Sequence, residues 1–343
     1  MARVELNSRA KKVLMAVVQS YIGRPEPVGS RYLTKSFNFN LSSATIRNIM
    51  ADLEDMGYLM QPHTSAGRVP TDIGFRFYVD SLEGSVRATE AERVLGSMRK
   101  KLTHMGDDVN ALLGEVTSYM ADVTHCAVFA VPLRPDNTTL NRVQLFRYKK
   151  SKTVAVLLTN EGLVTNRIID TDFGLSQREL DRVVEFLNSE YTGHTISEIR
   201  GSIEGRVAEE KALRDILITQ CMRVTREALA FSANDIIMSG VPELIGLPEF
   251  SSRINSIARA IEDKKKILRI LDRLSGSKEV NVLIGQENPE RTFSDFSIIS
   301  AEYTQGERSL GRVGMIGPTR MDYQRAIPLV GSMARYISSV IIG

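Results

Sequence analysis

The stretch LSSATIRNIMADLEDMGYLMQPHTSAGRVPT, residues 41–71, limits the possible folds more than any other part of the chain. Ser42 reads as a helix N-cap, with Leu41 before it placed to staple onto Ile46. Ile46, Ile49, Met50, Leu53 and Met56 recur at helical spacing, and Gly57 marks the stop. Tyr58–Pro62 is then extended, a polar turn surrounds Gly67, and a second extended piece begins at Val69. The stretch therefore predicts a helix followed at once by a β-hairpin.

The charges of this helix run against the usual rule. Acids are favoured near a helix N-terminus and disfavoured near its C-terminus. Here the first turns hold none, while Asp52, Glu54 and Asp55 crowd the last ones. At about 100° per residue, Ala44, Arg47, Asn48 and Ala51 lie opposite the apolar stripe, flanked by Ser43 and Thr45. A helix that enters the DNA major groove with its first turns must keep carboxylates away from phosphates there. Arg and Asn pair bidentately with guanine and adenine edges, and Ser and Thr reach phosphates or bases.

The preceding residues fit the same arrangement. Asn7 or Ser8 caps a first helix whose apolar residues are Val13, Leu14, Val17, Val18, Tyr21 and Ile22, and Gly23, Pro25 and Pro27 stop it. A short second helix over 28–37 carries Arg31 and Lys35 on one face. Two helices and a tight turn before a hairpin form a winged helix-turn-helix for double-stranded DNA. Arg47 and Asn48 are the candidate base readers, and Ser43, Thr45, Arg31 and Lys35 the candidate backbone contacts. His63, Thr64, Ser65 and Arg68 are the candidate wing contacts. Two other readings are open: a solvated face on a small helical bundle, and a winged helix that contacts protein.

Composition bounds the rest. The chain has 343 residues, 43% apolar and 25% charged, enough for two or three domains with their own cores. Residues 1–80 hold ten Lys/Arg and seven Asp/Glu, leaving 34 of each beyond, so the whole excess of +3 lies in the first quarter. The longest apolar run, around Cys126–Leu133, is too short to cross a bilayer. No signal peptide is visible, and Cys126 and Cys221 form no disulfide framework. Both features point to a cytoplasmic protein without membrane association.

SSATIRNIMADLEDMGYL (42–59) and QPHTSAGRVPTDIGFRFYVD (61–80) resemble the HrcA family of bacterial heat-inducible transcription repressors. The resemblance is nearly continuous over Ser8–Leu82. It returns at LPEF (247–250), VLIGQEN (282–288) and GRVGMIGPTRMDY (311–323). It implies a homodimer that represses chaperone operons through an inverted-repeat operator called CIRCE and is kept active by the GroEL chaperonin. It also implies three domains: a winged helix, a GAF-like domain, and a dimerisation domain inserted into the latter.

The remaining pattern suits that layout. Residues 85–125 are helical. Strand-like runs follow at CAVFAVP, RVQLFRY, TVAVLLT and VTNRIID, with a turn at Asn160–Gly162. Helices are expected at 176–191, 205–231 and 251–274, strands at VNVLIG, FSIISAEY and RVGMIG, and a closing helix at 321–341. Strands early and late with helices between suggest a split α+β domain carrying an insertion. The expected fold is α+β and multidomain. Residues 1–84 form the winged helix-turn-helix, and 85–140 a linker helix with the first part of the GAF-like domain. Residues 141–224 form the inserted α+β dimerisation domain, and 225–343 the second part of the GAF-like domain. Two ordinary consecutive domains are the alternative, and the amphipathic 205–231 helix is either core or subunit contact.

Catalytic constellations are missing. There is no P-loop and no GxSxG, and Gly311, Gly314 and Gly317 do not make a dinucleotide fingerprint. His125 and Cys126 are adjacent on a strand and so point to opposite faces, against a shared metal. Neither enzyme activity nor a cofactor is expected. A small-molecule-responsive winged-helix regulator is the alternative function. Arg320 and Asp322 are its candidate pocket residues, although a surface ion pair or a helix start explains them more simply.

Overall fold

In the computed structural model, which describes residues 6–64, 66–82, 88–101, 109–131, 139–149, 152–160, 164–170, 176–199, 201–202, 236–274, 279–306 and 308–342, helices and sheets are mixed. In chain order come α1 (Ser8–Gly23), α2 (Ser30–Ser36), α3 (Ser43–Asp55), β1 (Leu59–Met60), β2 (Val69–Pro70) and α4 (Asp72–Leu82). Next are α5 (Ala88–Lys101), α6 (Val109–Thr124), β3 (Ala127–Val131), β4 (Leu140–Lys149), β5 (Lys152–Thr159), β6 (Val164–Asp170), α7 (Gln177–Tyr191) and β7 (Ile237–Ser239). The chain ends with α8 (Val241–Ile245), α9 (Ile254–Glu262), α10 (Lys264–Asp272), β8 (Val280–Ile284), β9 (Phe296–Gln305), β10 (Arg308–Pro318) and α11 (Tyr323–Ile342). The expected 205–231 helix, most of the Asn160–Gly162 turn, Cys221 and Ser65 lie outside the described residues.

The chain divides into two compact units. One comprises Met1–Val94, Pro242–Ser300 and Met315–Gly331; the other comprises Leu95–Val241, Ala301–Gly314 and Ser332–Gly343.

In the first unit, the Asn7 side chain accepts the Ala10 N–H at 2.8 Å and so caps α1. The helix buries Val13, Leu14, Val17 and Val18, as their spacing predicts. The second helix is shorter than the expected 28–37. Val28 leaves it to exchange backbone hydrogen bonds with Arg68, each 2.9 Å long. This adds Val28 to the loop side of the hairpin, whose β1 and β2 pair antiparallel, Leu59 opposite Pro70 and Met60 opposite Val69. Gly67 lies so close to the Val28 carbonyl that a Cβ there would overlap it.

In the second unit, β4, β5 and β6 form an antiparallel meander. Leu145, Ala155, Leu157 and Ile169 from its inner face pack with Leu180, Val183 and Leu187 of α7. Asn188 anchors the helix by accepting the Val143 N–H at 2.8 Å and donating to its carbonyl at 3.0 Å. A five-stranded sheet of order β7-β3-β10-β9-β8 draws β7 and β3 from this unit and β8 from the first. All five residues of β3 are buried, as its continuous apolar run suggests. Gly311 of β10 has a packing role: a Cβ would strike Tyr303, whose hydroxyl donates to the Val131 carbonyl at 2.8 Å. No helix among the described residues is long and apolar enough to span a membrane.

Candidate nucleic-acid interface

The third helix begins where its cap chemistry dictates. Ser42 Oγ accepts the Thr45 N–H at 3.0 Å and lies 2.8 Å from the Thr45 hydroxyl. Ile46, Met50 and Leu53 face the core. Arg47 and Asn48 are exposed on the other side, with Ala44 also exposed and Ser43 and Thr45 partly so. Ser43 Oγ sits 3.0 Å from Ser30 Oγ, which ties the start of α3 to the start of α2. Arg31 and Lys35 are exposed on α2, and none of the described acids falls in the first turn of α3. The outward surface at this end is therefore cationic and rich in hydroxyls and amides.

The helix closes with a Schellman motif. The Tyr58 N–H reaches the Leu53 carbonyl at 2.9 Å and the Gly57 N–H reaches that of Glu54 at 2.8 Å, with Gly57 at φ +79°. The reversal sends the chain into the hairpin. There Gln61 Nε2 donates to the Thr64 and Ala66 carbonyls, both at 2.9 Å, while the Ala66 N–H donates to the His63 carbonyl at 2.8 Å. His63 and Thr64 are exposed at the tip; Ser65 between Thr64 and Ala66 is outside the described residues.

Arg68 occupies a different environment from the other wing candidates. It is half-buried just before β2, and its Nε lies 2.6 Å from Glu54 Oε2. One of the three crowded acids thus holds the hairpin to the helix, while Asp52 and Asp55 stay exposed at the far end. Sequence reasoning missed Glu54, Gln61 and Ser30 as organising residues. The partners of Gln61 are backbone carbonyls, which leave no trace in side-chain pattern.

Thr71 completes the assembly. Its hydroxyl donates to the Gly57 carbonyl at 2.6 Å and accepts the Gly74 N–H at 3.2 Å, starting α4 beneath the end of α3.

Comparison with known proteins places this arrangement in a family. The sequence model of the HrcA protein C terminal domain matches residues 110–327. The chain is 43% identical over 338 residues, 97% of each protein, to the heat-inducible transcription repressor HrcA of Thermodesulfovibrio yellowstonii. It is 36% identical over 341 residues, 99% of each, to that of Geobacter sulfurreducens.

The chain belongs to the HrcA family.

These relatives span the helices and hairpin of the N-terminal region as well as the C-terminal domain. A solved structure described as that of a hypothetical protein superposes with a TM-score of 0.65 at 25% identity, covering 98% of this chain and 99% of the other. HrcA proteins are heat-inducible transcription repressors, so the exposed first turns of α3 are the candidate DNA face of a repressor.

The two pocket candidates have other partners. Arg320 Nη2 donates to Glu249 Oε2 at 2.7 Å. Asp322 accepts the N–H groups of Arg325 and Ala326 at the start of α11. Among the described residues, no three His, Cys, Asp or Glu gather as a metal site.

Proposed function

We propose that the chain is a sequence-specific DNA-binding repressor of heat-shock chaperone operons, acting as a homodimer on a CIRCE inverted repeat. The N-terminal elements act as a winged helix-turn-helix, with α3 in the major groove and the hairpin beside it. Arg47 and Asn48 read base edges; Arg31, Lys35, Ser43 and Thr45 hold the backbone. His63, Thr64 and Ser65 approach the duplex from the wing. Arg68 sets the wing's pose through Glu54 and reaches phosphate only with its outer nitrogens. The observation that carries this reading is the exposure of Arg47 and Asn48 on an acid-free helix start.

Dimerisation draws support from the described residues of 141–224, read as the dimerisation domain inserted into a GAF-like domain. The outer face of its meander carries an apolar row among polar residues. Phe146, Val154 and Ile168 align across three strands, with Phe146 51% and Ile168 61% exposed and Tyr148 nearby at 59%. Such a row matches a subunit contact better than a solvated face. Two recognition helices related by a twofold axis require an inverted repeat with matching half-site spacing. The family resemblance supports modulation by a GroEL-type chaperonin.

Fluorescence anisotropy with a labelled inverted repeat and a scrambled duplex, each at two salt concentrations, tests the reading. Preference for the repeat that survives higher salt is expected. Equal, salt-sensitive binding to both duplexes would reject base readout.

A further inference from the structure

Three stretches that resemble the family, 72–80, 282–288 and 315–323, have no place in the DNA face, yet they lie within one compact unit. Helix α4 presents Asp72, Phe75 and Arg76 on one side, at the spacing that aligns residues on a helix face. Asp72 Oδ2 accepts the Gln286 N–H at 2.9 Å. Gly285 stands at φ +54°, and a Cβ there would overlap the Asp72 carboxylate.

One turn further on, Arg76 Nε donates to Glu287 Oε1 at 2.7 Å, and Nη2 bonds both Glu287 Oε2 and the Val282 carbonyl. Glu287 in turn accepts the Ile284 N–H at 2.9 Å. Asn288 secures the receiving turn by donating to the carbonyls of Gly285, Phe293 and Phe296. Beside these bonds the Phe75 ring lies 6.1 Å from that of Tyr323, whose hydroxyl is 2.6 Å from Ser297 Oγ. The forked, charge-assisted geometry fixes orientation as well as distance.

A continuous path leads from this clamp to the DNA face. Tyr58 packs edge-on against Phe77 of α4 at 5.7 Å, and Thr71 bonds the end of α3. The Arg68–Glu54 pair then joins that end to the hairpin.

We infer that Asp72 and Arg76 are positioning residues of the DNA interface. They clamp α4 to the Gly285–Asn288 turn and hold α3 and the hairpin in the pose that presents Arg47 and Asn48. Operator binding and clamp closure therefore stabilise each other. The inference rests on the repressor reading above. Because coupling between two sites is reciprocal, DNA must tighten the clamp by the same factor that the clamp tightens DNA binding.

The test is hydrogen exchange of the full chain with and without the inverted repeat, beside anisotropy titrations. The Gln286 amide reports its bond to Asp72 directly. The repeat is expected to slow exchange over 282–288 by about tenfold. Arg76→Ala and Glu287→Gln should abolish that protection and weaken operator binding by the same factor. Exchange in the buried part of α1, measured without DNA, should stay as in the parent. Arg76→Lys, which keeps the charge but loses the fork, should fall between. Where Arg76→Ala does not fold, the milder Glu287→Gln carries the comparison.

Repeat binding that leaves 282–288 unprotected would overturn the inference alone. So would unchanged operator affinity in a folded Glu287→Gln protein. Failure of the parent chain to prefer the repeat would overturn the repressor reading and, with it, this inference.

Discussion

Arg68 and Glu54 face each other across the junction of hairpin and helix, Nε to Oε2 at 2.6 Å, with both side chains largely shielded from water. The pair gives one of the acids near the end of α3 a structural role, while the first turn of the helix holds none. Glu54 lies far enough along α3 to stay clear of the turns proposed to face phosphate, yet it can still neutralise the cation at the hairpin.

A double-mutant cycle with Glu54→Gln and Arg68→Met, followed by denaturant unfolding, should give a coupling energy of about 1 kcal/mol, as expected for a half-buried pair. Additive effects would mean that the contact does not hold the hairpin.

At the DNA face, Arg47→Ala should cost about 1–3 kcal/mol on the operator and narrow the gap between operator and random duplex. Lys35→Ala should weaken both duplexes alike and flatten the salt dependence. Parallel titrations separate the two, and equal losses for Arg47→Ala would remove it from base reading.

Gly67→Ala should destabilise the N-terminal unit by about 1–3 kcal/mol, because the added methyl overlaps the Val28 carbonyl and backbone must shift to admit it. Thermal melting reads the loss directly. A substitution at Gly23, which has open space around it, is the control.

Phe146→Asp and Ile168→Asp place charge on the exposed row of the meander and should convert the proposed dimer to monomer in sedimentation, with single half-site binding retained. A sedimentation coefficient unchanged in both variants would place the subunit contact elsewhere.

The phenol of Tyr78 titrates high. Burial, reinforced by the Asp322 carboxylate, pushes it up to about 12 from an ordinary 10.0. The folded state therefore holds this proton more tightly than the unfolded chain. The resulting stability is fully present below pH 10 and drains away as pH rises towards 12. Tyr78→Phe should flatten that part of the alkaline unfolding curve; an unaltered curve would place the alkaline transition at other groups.

Local chemistry was legible from the sequence. The caps at Asn7 and Ser42 and the stop at Gly57 follow from bonds that close within four or five residues, and the stripe of α3 was legible except at its end, where Met56 is exposed. Pattern alone reveals such features, as it does the buried β3 and the α+β class. Tertiary structure decided which distant groups meet. Val28 left its predicted helix to pair with Arg68, and Arg68 turned from a wing-tip candidate into the partner of Glu54. Arg76 found Glu287 some 211 residues away. Ion pairs and backbone exchanges of this kind depend on chain closure over long separations, and neither periodicity nor composition records where a closed chain brings its ends together. The sequence by itself thus determined the elements and the character of their faces. Only the folded chain decided which faces stay exposed and which are held inside, because burial is a property of the packed whole.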